Sequence, residues 1–397
     1  MKTTFGRLLL SQTVSRFSNA ALCFVLLVCL LQQTGSAALY GSVTALATVP
    51  MLLGVLFGGA LADRCRRQRL LSGLDIAAAF GMLMAAAFVN SVPILPFVLL
   101  LLCILYAAEG LAQPTAQACI PLLLHGAELQ KGNAIFQFCT ALAEILGTLL
   151  GNALFSALGL RSLLLFCAIL FVIASAGEFG LALPYRPVRN PVSSKQIVPM
   201  HRTLWLLAAL LALLNLAVIP AFTVGVPVLV LQALAQPDDA LALTQAAMRA
   251  GSLLGCIVVA AQSKRITPRR GAASLWCITA LCVLLGLSAL PLLPSDFAYA
   301  FITLSALCMM AAASAFQIQL NAILQFFAPR EQMGHVMSTF TVAACLTQPA
   351  GQALFGFAYE KAAAFPVIVP LGTAAASFFI AAAASCILDK VTGFTDS

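Results

Sequence analysis

The sequence predicts an all-α membrane protein: twelve transmembrane helices in two pseudo-symmetric six-helix bundles, with both termini cytoplasmic. Three observations predict it. The composition is too apolar for water, the basic residues sort to alternate loops, and a polar linker near mid-chain separates two halves that share a short repeat. Hydrophobic residues make up 62% of the 397 positions and charged residues only 9%, and the mean hydropathy is +1.02. A soluble chain carries about 45–50% apolar and about 25% charged residues. One aqueous core cannot absorb such an apolar excess, so the solvent of this chain is lipid.

About 20 apolar residues cross a hydrocarbon core roughly 30 Å thick. Apolar runs read against their polar punctuation give spans near 7–31, 39–62, 70–90, 95–119, 133–157 and 162–183, then 204–232, 240–262, 272–291, 297–322, 334–358 and 364–388. Pro114, Pro220, Pro227 and Pro349 fall inside spans, where proline kinks a membrane helix more often than it ends one. With the N-terminus inside, every Lys and Arg falls on the cytoplasmic side except Arg161 and Lys361 outside and Arg16 and Arg249 within spans. That segregation obeys the positive-inside rule, and a miscounted span would scramble it. The net charge of +8 is therefore loop charge facing anionic lipid, not a nucleic-acid footprint. No small-residue cleavage pattern follows the first apolar run, so that helix is expected to be retained.

The longest polar stretch, Pro184 to Arg202, holds Pro187, Pro191 and Pro199 among four basic residues. It divides the chain into an N-terminal bundle (1–184), a cytoplasmic linker (185–203) and a C-terminal bundle (204–397). Gly151-Asn152-Ala153-Leu154-Phe155 in span 5 matches Gly351-Gln352-Ala353-Leu354-Phe355 in span 11. The equivalent positions suggest parallel duplicated halves.

Between spans 2 and 3 stands Gly58-Gly59-Ala60-Leu61-Ala62-Asp63-Arg64-Cys65-Arg66-Arg67. A glycine lets helices approach closely, and an aspartate at a helix end suits an arginine or a neighbouring helix N-terminus. The run resembles the G-x-L-A-D-R-x-G-R-R signature of the major facilitator superfamily, with Arg66 at the motif's second glycine. The resemblance implies that Gly59, Asp63, Arg64 and Arg67 form a conformational latch between the halves. Pro114-Thr115-Ala116, Ile120-Pro121-Leu122, Asn133-Ala134 and Gln348-Pro349-Ala350-Gly351 extend it, and together they look like the macrolide-efflux and siderophore-export branch. That branch implies export of a small organic molecule in exchange for protons. Antiporters of the superfamily often carry a Gly-Pro pair in span 5, where this chain has Gly151-Asn152.

Charges at bilayer depth are costly and usually face a cavity or a partner. Arg16 and Glu109 both lie roughly 15 Å from the cytoplasmic face, on spans that line the central cavity of major facilitator folds. They are expected to pair, or to share a substrate or a proton. Glu144 and Arg249 lie roughly 16–20 Å deep and form the second expected pair, bridging the halves. Static ion pairs that fix packing are the competing reading of both. Glu109 is the first candidate proton carrier and Glu144 the second, because a carboxylate moved between apolar surroundings and an arginine loads and releases a proton. Glu178 and Asp75 lie near cytoplasmic helix ends; Glu178 is expected to reach the interface, and Asp75 to bear less of the cost of bilayer depth. Among buried amides, Asn19 and Gln319 are candidate substrate contacts, and Phe17, Phe136 and Phe138 candidate apolar walls.

The 13 cysteines show no CxxC or zinc spacing, and no nucleophile–base set or phosphate loop stands out. No enzyme, metal or cofactor is expected. The partners are a small-molecule substrate, protons and the bilayer of a bacterial inner membrane, for a protein expected to be a monomer. An importer or facilitator on the same fold, a lipid flippase and a non-transporting sensor remain the alternatives.

Overall fold

The computed structural model describes the backbone except at 1, 90, 125–126, 182–201, 262–267, 289, 291–293, 328–332 and 393–397, and side chains except there and at 2, 58–60, 62–64, 118, 121, 127–131, 133–134, 202–204, 260–261, 268–270, 321–327, 333–345 and 388–392. The described elements are helical throughout: α1 (Lys2–Thr34), α2 (Ala37–Arg64), α3 (Arg67–Phe88), α4 (Ile94–Leu123), α5 (Ala127–Phe179), α6 (Arg202–Ala217), α7 (Asp238–Ala261), α8 (Pro268–Ser288), α9 (Ser295–Phe327), α10 (Met333–Lys361) and α11 (Ile368–Thr392). Ten described segments are long and apolar enough to cross a membrane.

The 53 residues of α5 are two helices that meet at a kink at Gly159 (φ 77°, ψ 170°), between expected spans 5 and 6. A side chain there would be strained, so glycine allows the chain to turn; the break leaves a first arm (127–158) and a second arm (160–179). After α6 the chain runs through π-helical turns at Ala221–Gly225 and Leu229–Ala233, on either side of Val226–Val228. Pro220 and Pro227 withhold the amide donors that a regular α-helix needs there. The expected linker 185–203 lies outside the described residues, save the helical backbone from Arg202.

The chain divides into two compact units, one of Met1–Gly35 with Leu46–Ser193, the other of Ser36–Ala45 with Ser194–Ser397. In the first, glycines set the helix spacing. A Cβ on Gly54 would stand 2.9 Å from the Gly110 carbonyl carbon, and one on Gly151 would stand 2.5 Å from Ala21 Cβ. Such contacts let backbones approach where lipid offers no hydrophobic push. Beneath them, Leu8, Leu71, Ile120, Leu123, Phe136 and Leu181 close an apolar core.

The second unit repeats the device. A Cβ on Gly251 would run into Leu307, and one on Gly255 into Ala311, so α7 lies against α9 as α2 lies against α4. A Cβ on Gly351 would stand 2.5 Å from Leu216 O and 2.6 Å from Pro220 Cγ. The two glycines of the internal repeat thus each pack on the first long helix of their own unit. Thr244 and Thr303 share a 2.9 Å hydroxyl contact, and the Tyr299 hydroxyl donates to Ala240 O at 3.0 Å. The first turns of α2 belong to this unit. A Cβ on Gly41 would stand 2.6 Å from Gln352 O, and Glu360 Oε2 accepts from the Ala38 amide at 3.1 Å and from Ser36 Oγ at 2.9 Å. These donors hold the Glu360 carboxyl below its ordinary titration range, the Ala38 amide most strongly.

Candidate functional site

The site begins with one face of α1. Gln12, Ser15, Arg16 and Asn19 recur at the spacing that puts helix residues on one stripe. All four aim at carboxylates on other helices of the first unit. Arg16 Nη1 lies 2.5 Å from Glu109 Oε1 on α4, and Asn19 Nδ2 donates to Glu109 Oε2 at 2.8 Å. Both carboxylate oxygens of Glu109 are thereby used. Glu144, on the first arm of α5, lies 3.8 Å from the same Arg16 nitrogen. The side chains of Arg16, Glu109 and Glu144 are 11%, 19% and 25% exposed. One guanidinium therefore serves two carboxylates in a half-sheltered place, where charge-assisted hydrogen bonds are strongest.

The stripe continues toward the start of α1. Ser15 Oγ donates to Asp75 Oδ1 on α3 at 2.8 Å. Gln12 Nε2 donates to Glu178 Oε1 on the second arm of α5 at 2.5 Å. A cavity of about 20 Å³, room for a single water, is lined by Gln12, Ser15, Arg16, Asn19, Asp75 and Glu109, with Leu105 and Phe171 as apolar wall. The described residues hold no group of His, Cys, Asp and Glu placed to bind a metal.

Arg16, Asn19, Glu109 and Glu144 are thus brought together. Arg249 and Gln319 belong to the second unit, Arg249 half-buried in α7 and Gln319 buried in α9. Of the expected latch, Gly59, Asp63 and Arg64 lie outside the described side chains, while Arg67 opens α3. Of the expected walls, Phe136 is buried in the core and Phe138 is exposed.

Two expectations are corrected. Glu178 does not reach an interface: it is 0% exposed, and Asp75 is 5% exposed. Distance along a helix measured their depth, but sideways burial decides their environment. α1 closes over the second arm of α5, where a Cβ on Gly177 would stand 3.2 Å from Ser11 Cβ. Ser72 and Ser175, each three residues before its carboxylate, join α3 to that arm through a 2.6 Å hydroxyl contact. The signal was available as the pairs Ser72/Asp75 and Ser175/Glu178, polar residues one turn apart on one helix face.

Solved structures share the fold. The chain is similar to a mutant of the nucleoside transporter NupG, with a TM-score of 0.73 at 13% identity over 96% of this chain and 99% of that one. It is similar to a bacterial homologue of the iron transporter ferroportin in the inward-facing state, with a TM-score of 0.70 at 15% identity over 96% and 99%. It is also similar to the xylose transporter XylE from E. coli in its inward-open conformation, with a TM-score of 0.71 at 13% identity over 94% of each chain. No curated protein matches the sequence. The sequence profile of the Major Facilitator Superfamily matches residues 8–352, most of the chain, and this apolar chain, helical in its described elements, belongs to that family of transporters.

Proposed function

We propose that the chain is a secondary active exporter of a small organic molecule, drug-like, macrolide-like or siderophore-like, driven by proton antiport through alternating access. In this reading it sits in a bacterial inner membrane as a monomer. α5 counts as two crossings broken at Gly159 and α10 as one more, which makes twelve helices with both termini cytoplasmic and two six-helix halves. The resemblance to the efflux branch supports the direction of transport.

The observation that carries the reading is the shared guanidinium of Arg16, with Glu109 at 2.5 Å and Glu144 at 3.8 Å. A static pair needs one partner, and a second carboxylate within reach offers Arg16 an alternative. Neutralising Glu109 by a proton weakens its charge-assisted bonds to Arg16 and Asn19. Arg16 then turns to Glu144, and the site that held one arrangement holds another. Such two-state polar elements are what a substrate or a proton biases in an alternating-access cycle.

The test is accumulation of a compound library in cells with and without the gene, repeated after a protonophore. The reading expects lower accumulation of some compounds when the gene is present, and loss of that difference once the proton gradient collapses. Export unchanged by the protonophore overturns the coupling. Asn152, in place of the proline of the antiporter pattern, favours one second reading, a facilitator. That reading expects movement down the substrate gradient alone.

A further inference from the structure

Asp75 and Glu178 lie outside the Arg16–Glu109 pair, yet they are the most deeply buried carboxylates described in the first unit. Each has one oxygen engaged, Asp75 Oδ1 by Ser15 and Glu178 Oε1 by Gln12. Each has one buried oxygen, Asp75 Oδ2 and Glu178 Oε2, with no hydrogen-bond partner. Buried acceptors rarely stay unsatisfied, and an explanation is owed when two do so together. Ser72 and Ser175, one turn before each carboxylate, touch at 2.6 Å, which brings Asp75 and Glu178 to the same junction between α3 and the second arm of α5.

The charges around them do not balance. On α1 the facing groups are Gln12 and Ser15, which are neutral, and Arg16, already between Glu109 and Glu144. On the second arm of α5 the neighbour is Ser175, and on α4 Cys119 is buried in the same core as Leu181. Arg67 stands in the first turn of α3, and Arg7 reaches toward Gly180. Two anions facing neutral donors at 0% and 5% exposure would each bear a desolvation cost of several kcal/mol, and like charges at one site cannot both ionise cheaply.

Access is one-sided. The Asp75 side lines the cavity that holds Arg16 and Glu109. Toward the start of α1 the apolar core closes the way, with Leu8 one turn before Gln12, Leu71 one turn before Asp75 and Leu181 three residues after Glu178, each at most 1% exposed.

We propose that Asp75 Oδ2 and Glu178 Oε2 form a proton-binding site, one proton held by the pair, reached through the Arg16–Glu109 cavity and sealed on the other side by the Leu8–Leu71–Leu181 core. The proton comes from water in that cavity, takes the pair from two negative charges to one, and returns by the same route. A proton fits better than a metal cation. Gln12 and Ser15 are donors, and the two remaining oxygens fall short of the six or more that hard divalent cations require. The proposal rests on the proton-coupled reading and names the site that carries the coupling ion.

The test uses the purified full-length protein in lipid nanodiscs and infrared spectroscopy of the carboxylic C=O stretch at neutral pH, in water and in deuterium oxide. The wild type is expected to show a protonated-carboxyl band that shifts on deuteration. The Asp75→Asn/Glu178→Gln double variant should lose it, and Glu360→Gln should keep it. Should the double variant prove unstable, the single variants must each shift or remove the band. Absence of the band from the wild type, or its persistence unchanged in the variants, overturns the proposal. If the band fails while export stays protonophore-sensitive, the proposed function stands and only this site falls. If the band behaves as expected and export ignores the protonophore, the coupling reading falls instead.

Discussion

Replacing Gly151 with alanine adds one methyl group at the place where α5 touches α1. That Cβ would stand 2.5 Å from Ala21 Cβ and 2.8 Å from Ala21 Cα, where ordinary contact begins at 3.4 Å. No rotamer relieves it, because alanine has none and one obstacle is backbone. The helices must part by about 0.9 Å locally. A gap of that size forfeits roughly a quarter to a half of the attraction of each atom pair it opens, and overpacking of this kind costs about 1–3 kcal/mol. The better helix propensity of alanine returns about 1 kcal/mol. A net loss of up to about 2 kcal/mol follows, and at roughly 2–4 °C per kcal/mol for a unit of this size the apparent melting temperature falls by up to several degrees. The assay is thermal unfolding of purified protein in one detergent at one scan rate, since such unfolding is kinetic. Gly351→Ala, facing Leu216 O at 2.5 Å, should fall likewise in the other unit. Gly73→Ala, with nothing within 4 Å, should hold steady or rise. Ala21→Gly should restore part of what Gly151→Ala loses. A Gly151→Ala protein melting at or above wild type would refute the close-packing argument and, with it, the structural meaning given to the repeat.

Other outcomes follow from the polar contacts. Glu109→Gln removes the nearer partner of Arg16 but leaves Glu144 at 3.8 Å; it should cost less than the about 3–5 kcal/mol of a fully broken buried pair, while export, measured as compound accumulation, is lost. Glu360→Gln should cost no more than about 1 kcal/mol in thermal unfolding at neutral pH, because the site is solvent-exposed. The folded state holds this carboxyl below its ordinary range, so its contribution is present above the unfolded titration point and lost as pH falls through the folded one. The variant and the wild type should therefore converge in acid.

The sequence carried the fold in quantities that lipid makes legible: apolar length, loop charge, and the Asp63–Arg67 run. Arg16 and Glu109 could be set side by side because both lie at matching depth on helices whose placement the family resemblance implied. Glu144 was matched by depth to Arg249, while its 3.8 Å approach to Arg16 depends on how α5 packs on α1, which depth does not encode. Asp75 and Glu178 were misread for the same reason: linear distance to a helix end says nothing about neighbouring helices closing over the side. The turn between the two arms of α5 rests on the backbone at Gly159, whose positive φ no hydropathy window reports.

The central claim is that the Arg16–Glu109 pair acts in transport rather than merely holding α1 to α4. An Arg16→Met/Glu109→Met/Glu144→Met triple variant tests it directly, since apolar residues of similar volume replace static buried pairs and triads at little or no cost in stability. Efflux of a compound found by accumulation profiling is measured for this variant beside its melting curve. The account predicts a monodisperse protein of near wild-type stability that no longer exports. Export at the wild-type rate by the triple variant would contradict it and leave the pair a packing device.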